Sequence, residues 1–329
     1  MKMTHIALAL FVSLTANGLM AKGTERANAN PNAPLAALTT ISGTPLRVNV
    51  GDDMSFQVFN TTISSGTVGQ IFPSSAADLA DMGWFVRLGT ALYAPSFNEH
   101  SGTATSGLGA TIGFGARTVS AISGAGTTAS PFLVTTTGTL ATGIAASQRV
   151  TYVNGENFFR KALTLNNSGA AAISARVFLG SDIFLAASDS GKPFRETVSG
   201  SPGGRTCPGV TPIYTILHIS QGTPASNGFS GTGFNSIWTQ IGAGTLNNAI
   251  NPADCIDNGA ALQWDVSIPA GGSTIVSAVT SFGDIPGGGV IGPGPAAIIT
   301  QVPATNMFGM ALLGLGMLGL VGFGIRRYS

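Results

Sequence analysis

Turn signals recur along this chain roughly every 10 to 15 residues, too often for helices of ordinary length but at the interval antiparallel strands require. The clearest stretch lies between Gln148 and Leu185. Val150 and Tyr152 share one face, and Asn154-Gly155 follows, a pair that tolerates positive φ and so favours a tight hairpin. Phe159, Leu163 and Leu165 alternate as far as Asn166-Asn167-Ser168-Gly169, and Ile173, Ala175, Val177 and Leu179 alternate after it. The spacing predicts a meander of three antiparallel strands.

A period of two also marks the flanks. Leu46–Val50 and Met54–Phe59 read as a hairpin about Gly51-Asp52-Asp53. Trp84–Tyr93 reads as one strand, ended by Pro95. Arg117–Ile122 and Phe132–Leu140 are two more, separated by Ser123-Gly124-Ala125-Gly126. Ile213–Ile219 is apolar on both faces, which predicts a doubly covered central strand. In Ala261–Ile268, Leu262, Trp264, Val266 and Ile268 point one way and Gln263, Asp265 and Ser267 the other. Pro269–Gly272 turns that strand into Ser273–Phe282. Ser74–Met82 is the one soluble helix expected, with Ser75 as its cap and Asp78 three residues on. Asn98–Gly115 reads as a long loop or a weak edge hairpin, Ser188–Pro208 as a long polar loop, and Phe229–Gly242 as a loop or edge segment. The fold class is therefore all-β: one large antiparallel β-sandwich over 46–284. Two smaller sandwiches divided near Ala145 are the alternative; no Pro/Gly linker marks that boundary.

Both ends of the chain are apolar. Lys2 and His5 precede a run from Ile6 to Met20, the layout of a secretory signal peptide over 1–21, with Ala29 as a second cleavage position. A polar leader covers 22–45. A Gly/Pro linker covers 285–301. The tail, 302–329, holds an uncharged run from Met307 to Ile325, about 19 residues and long enough for one transmembrane helix. Arg326 and Arg327 follow it, as the rule that basic residues stay cytoplasmic predicts. These ends imply export, to the cell surface or beyond, with retention in the inner membrane.

Composition agrees. Only 9% of residues are charged, against about 25% in an average soluble protein. Three of the 15 basic residues (Lys2, Arg326 and Arg327) lie in the removable ends, leaving 12 against 14 acidic ones. That balance argues against nucleic acid, which needs a basic stripe. Cys207 and Cys255 form an even pair, most simply a disulfide in an exported chain. It would close a loop of about 48 residues, which the chain-entropy model values at roughly 4 kcal/mol.

No Ser/His/Asp or Cys/His arrangement can be read from the sequence, so no catalytic residue is assigned. The acids pair as Asp182 with Asp189 and Asp254 with Asp257. With His218 or His100 they are the candidates for acid–base work on sugars. Asp-Ser-Gly and Asp-Asn-Gly are also ordinary turn sequences. Asp254, Asp257 and Asn258 could offer oxygen ligands to calcium; no other cofactor is expected. His218 reads as a core histidine. Trp84, Trp238 and Tyr214 are the rings available for stacking on a sugar, Trp238 first among them, while Trp264 faces the core.

Val302-Pro303, one apolar span and the terminal Arg326-Arg327 together resemble the C-terminal sorting signals of the PEP-CTERM and IPTL-CTERM type. That resemblance implies processing by a membrane peptidase of the exosortase type and an exopolysaccharide-rich setting. A permanent anchor is the alternative. Phe158-Phe159, Leu179-Gly180-Ser181-Asp182, Ser188-Asp189-Ser190-Gly191 and Ile256-Asp257-Asn258-Gly259 before Leu262-Gln263-Trp264 resemble a recurring domain of secreted bacterial surface proteins with a supersandwich shape. Two functions remain: a non-enzymatic surface or matrix protein, and a carbohydrate-binding or carbohydrate-active envelope protein.

Overall fold

The computed structural model describes residues 37–61, 82–96, 107–185, 188–210 and 213–283. The signal peptide, most of the expected helix over Ser74–Met82, His100, the linker and the tail with Val302, Pro303, Arg326 and Arg327 lie outside them. Met82 itself opens a strand.

The described chain is mostly β. β1 (Leu38–Ser42), β2 (Leu46–Gly51) and β3 (Phe56–Asn60) form a three-stranded antiparallel sheet. The other strands form one large, nearly closed sheet. They are β4 (Met82–Leu88), β5 (Ala91–Ala94), β6 (Ile112–Gly113), β7 (Gly115–Val119), β8 (Phe132–Thr139), β9 (Ile144–Tyr152) and β10 (Phe158–Asn167). They continue with β11 (Ile173–Asp182), β12 (Ser190–Arg195), β13 (Pro202–Thr206), β14 (Thr215–Gln221), β15 (Gly228–Gly233), β16 (Ile256–Ile268) and β17 (Ser273–Phe282). The spatial order is β6-β5-β4-β11-β16-β12-β13-β14-β17-β10-β9-β8-β7, with β15 also on β16. β5 and β6 run parallel, so the sheet is mixed. In place of a purely antiparallel sandwich of separate sheets, hydrogen bonding runs unbroken through β16, which pairs with β11, β15 and β12 in turn.

Five local expectations change. The polar leader over 22–45 contributes β1, which pairs with β2 and buries Ile41 in the core. Trp84–Tyr93 is two strands, β4 and β5, because Gly89 takes φ +58° and turns the chain. β9 and β10 pair as predicted, but β11 does not complete the meander. β10 pairs with β17, and β11 pairs with β4 and β16. The turn after β10 therefore crosses from one part of the sheet to another. The turn after β16 does the same beside it, and the two are tied by Asn167 N–H to Gly272 O at 2.9 Å and Gly271 N–H to Gly169 O at 3.0 Å. Ser188–Pro208 holds the β12–β13 hairpin. Phe229–Gly242 holds β15 and α1 (Phe234–Ala243), the one helix among the described residues. Phe234, Ile237, Trp238 and Ile241 are its buried side, at the i, i+3, i+4, i+7 spacing that the flanking glycines hid in the sequence. Gly244 ends it in the left-handed conformation.

One apolar cluster unites the inward residues of both parts of the sheet with the three-stranded sheet. It includes Val48, Phe56, Trp84, Val177, Leu179, Leu262, Trp264, Leu163, Leu165, Val276 and Ile216. Burying each such side chain contributes about 1.5–3 kcal/mol. A second cluster lies on the opposite face of β4, β11 and β16, where α1 packs on Phe85, Phe178 and Ala261. Gly180 permits that approach: a Cβ there would sit 2.6 Å from Ile241 Cδ1.

A polar chain crosses the main core. Lys161 on β10 donates from Nζ to Thr280 Oγ1 on β17. His218 Nδ1 on β14 lies 3.0 Å from the same hydroxyl. His218 Nε2 lies 2.6 Å from Ser181 Oγ on β11, which reaches Ala260 O at 3.4 Å. One proton arrangement satisfies every contact: Thr280 donates to Nδ1, Nε2–H donates to Ser181, and Ser181 donates to the carbonyl. Lys161 is 2% exposed, and His218, Thr280 and Ser181 are 0% exposed. Burial lowers Lys161 well below its ordinary 10.5 and His218 well below 6.5, with the Lys161 charge a further cause for the histidine.

Between its lowered folded pKa and 10.5, Lys161 is neutral in the folded chain and protonated in the unfolded one. The unfolded state then binds more protons, so stability rises with pH across that window. The unfolding free energy from urea titrations should climb as pH approaches 10, at about 1 kcal/mol per pH unit, and Lys161→Met should remove that slope without loss of stability at pH 7. The scan ends at pH 10, because burial raises the Tyr152 phenol and its deprotonation acts in the opposite sense above that. An unchanged slope in the variant would refute the assignment.

Candidate functional site

Period-two alternation puts Ser190, Lys192 and Phe194 on one face of β12. Register extends that face to both neighbours. Arg205 of β13 stands directly opposite Lys192, and Gly203 opposite Phe194. Asp257 of β16 stands opposite Ser190. Asp182 stands opposite Gly259, two residues further along β16 on the same side. Asp189 enters from the residue before β12. Carboxylate oxygens of Asp182, Asp189 and Asp257 lie within 4.8 Å of one another. Asp182 is 0% exposed, and the other two are half-buried.

The sequence paired these acids differently. It grouped Asp182 with Asp189 and Asp254 with Asp257, whereas the fold carries Asp257 to the first pair. Asp254 is instead ion-paired with Lys192 Nζ. A hydrogen bond from Lys192, the charge of Lys192 and that of Arg205 hold its carboxyl below the usual range. Asn258 points the other way, into the protein. It is 1% exposed, and Cβ atoms at Gly191 and Gly204 would lie 2.7 and 2.2 Å from its amide. Asp254, Asp257 and Asn258 therefore do not converge on one ligand. The set that can offer several oxygens to a hard cation is Asp182, Asp189 and Asp257.

The strip continues past the cations. The Arg205 guanidinium lies 5.6 Å from the centroid of the half-buried Phe194 ring. At the tip of the hairpin, residues from Arg195 to Gly200 line a depression of about 520 Å³. Cys207, two residues after Arg205, is bonded to Cys255. Lys192, Phe194 and Arg205 were missed because Gly203, Gly204 and Pro202 made their segment read as a loop. The Lys192-x-Phe194 alternation was the available signal.

The other sequence candidates serve the core. Trp84, Trp238 and Trp264 are all 0% exposed. Trp84 packs against Trp264 at 5.7 Å and Trp238 against Phe85 at 5.5 Å. Trp238 lies inside α1's buried face and offers no ring to a ligand. Tyr214 is half-buried against the main cluster. Ser181 and His218 stand at the spacing of a nucleophile and its base. Both are fully buried, and the second imidazole nitrogen meets a threonine rather than an orienting carboxylate. Their geometry is that of a link across the core.

No known protein family matches the chain, and no curated protein matches it in sequence. Solved structures with a partly similar backbone include a protein assigned as a kojibiose phosphorylase from the human microbiome, at 7% identity and a TM-score of 0.41, covering 74% of this chain and 29% of that one. Heparinase III follows at 9% identity and a TM-score of 0.40, covering 76% and 35%. A galactose mutarotase-like protein from Lactobacillus casei has 10% identity and a TM-score of 0.37, covering 75% of this chain and all of its own. This chain thus spans about a third of the length of the first two.

Proposed function

We propose that this chain is an exported carbohydrate-binding protein of the cell envelope, without catalysis, and that it meets sugar along the strip on β12, β13 and the start of β16. The observation that carries the reading is a convergence of charge. Only 9% of the residues are charged, yet Asp182, Asp189, Asp257, Lys192, Asp254 and Arg205 meet on one strip. Sugar hydroxyls both donate and accept. Carboxylates accept from them, and ammonium and guanidinium groups donate to them, so a strip holding both suits a run of hydroxyls. The half-buried Phe194 ring adds an apolar face beside them. The disulfide suits an extracytoplasmic body.

A second reading, an envelope protein that only builds structure, is favoured by one observation: all three tryptophans are buried. Binding decides between the two. The purified chain should retain on immobilised exopolysaccharide from its own cells, and Asp257→Ala should weaken retention about tenfold, the cost of one charged hydrogen-bond partner. No retention of the unaltered protein would favour the structural reading.

The tail then acts as a sorting signal read by an exosortase-type peptidase, with Arg326-Arg327 on the cytoplasmic side. The intact mass of the mature protein should lack 307–325. A mature form that keeps that run would leave a plain anchor, and a full-length cytosolic product with Cys207 and Cys255 reduced would overturn export itself.

A further inference from the structure

The outer face of the β12–β13 hairpin carries two cations directly opposite each other, Lys192 and Arg205. Like charges in opposed positions destabilise an antiparallel pair, so this arrangement needs a counter-charge. Neither strand supplies it. Asp254, from the segment before β16, bonds Lys192 Nζ and also feels the Arg205 charge. Its side chain is 70% exposed while that of Lys192 is 26% exposed. The carboxylate thus sits over the cations on their solvent side, where a carboxylate arriving from solution would sit. Its neighbour Cys255 is bonded to Cys207, two residues beyond Arg205. Asp254 is thereby tethered beside the β12–β13 hairpin whose cations it faces.

We propose that Lys192 and Arg205 form a carboxylate subsite for an acidic, uronate-bearing polysaccharide, which Asp254 occupies from within until the ligand displaces it. The inference rests on the carbohydrate reading above and names its ligand class. The surroundings favour a saccharide over an acidic peptide. Asp257, Asp182 and Asp189 continue the same face, and they would repel a chain with a carboxylate on every residue. A uronate polymer presents neutral hydroxyls between its carboxylates, and those hydroxyls donate to the acids. Phe194 lies beside the cations to take the apolar face of a ring.

Exchange of one carboxylate for another leaves the cations paired throughout, so the internal competitor lowers affinity without leaving charge uncompensated. Removing it should strengthen binding. The test is calorimetric titration of polygalacturonate into the full chain, its Asp254→Ala variant and the Lys192→Gln/Arg205→Gln double variant, with neutral dextran and poly-glutamate as parallel probes. Equal thermal midpoints will show that all three proteins are folded. Asp254→Ala should bind polygalacturonate about tenfold tighter than the unaltered chain, and the double variant about tenfold weaker, with dextran indifferent to all three substitutions. The inference falls if Asp254→Ala gains nothing, or if poly-glutamate gains as much as polygalacturonate. In those cases the broader reading stands while either polysaccharide still binds. If neither polysaccharide binds any of the three proteins, both fall together.

Discussion

β16 must bury side chains on both faces and satisfy its backbone on both edges, and much of the architecture follows from how it does so. Its even-numbered positions, from Ala260 to Ile268, enter the main core. Of its odd positions, Ala261 lies under α1, and Gln263 is buried beside it, accepting the Leu246 N–H at 2.8 Å. One edge is taken by β11 from Gly259 to Ile268. The other passes from β15 to β12 near Asn258. A buried backbone left unpaired at that handover would cost about as much as a lost hydrogen bond, so β12 continues the ladder where β15 ends. This makes the large sheet continuous. It also brings Asp189, ahead of β12, to Asp257 on β16 and Asp182 on β11.

Charge is scarce in this protein, and its placement follows two opposed rules. On the outer strip, acids and bases stand together, all but the buried Asp182 at partial or greater exposure, where water still screens them. Lys161 lies apart from that strip. It enters the core between Phe159 and Phe56, its Nζ 4.5 and 5.5 Å from their ring centroids. An ammonium there would lack solvation, so burial favours the free amine. Lys161, Thr280, His218 and Ser181 form a hydrogen-bonded chain from β10 to β11. Those strands share no ladder, and the chain joins across the core what backbone pairing leaves separate.

Strand existence was legible because period two survives any sheet topology. Strand partners were not, because a turn such as Asn166–Gly169 reads alike whether it closes a hairpin or crosses the core. Lys161 shows the limit within one strand. It lies on the Phe159-Leu163-Leu165 face, so alternation already placed it inward, yet its charge discouraged that reading. The helix was hidden differently. Gly231, Gly233, Gly242 and Gly244 bracket Phe234–Ile241 and resemble loop chemistry, although Gly244 serves as a C-cap and Gly242 fits where a Cβ would meet Leu108 O at 2.5 Å. The acids of the strip were individually visible. Their grouping was not, because it depends on the β15-to-β12 handover, a long-range event with no local signature.

The disulfide acts on that same neighbourhood. Cys207 follows β13 and Cys255 precedes β16, 48 residues apart in sequence. Between them the chain leaves for β14, β15 and α1 before it returns. Pairing of β12 with β16 covers only two positions, Ser190 with Asp257 and Gly191 with Ile256. So short a ladder holds its register weakly by backbone bonds alone. The covalent link enters one residue before β16 begins and one residue after β13 ends, and it limits slippage of the two against each other. Asp254 and Asp257 lie on either side of Cys255 and Ile256. Fixing that point therefore fixes both the acid that faces the cations and the acid that joins Asp182 and Asp189. The charged strip thus draws its register from a bond outside the apolar core as well as from the ladder itself.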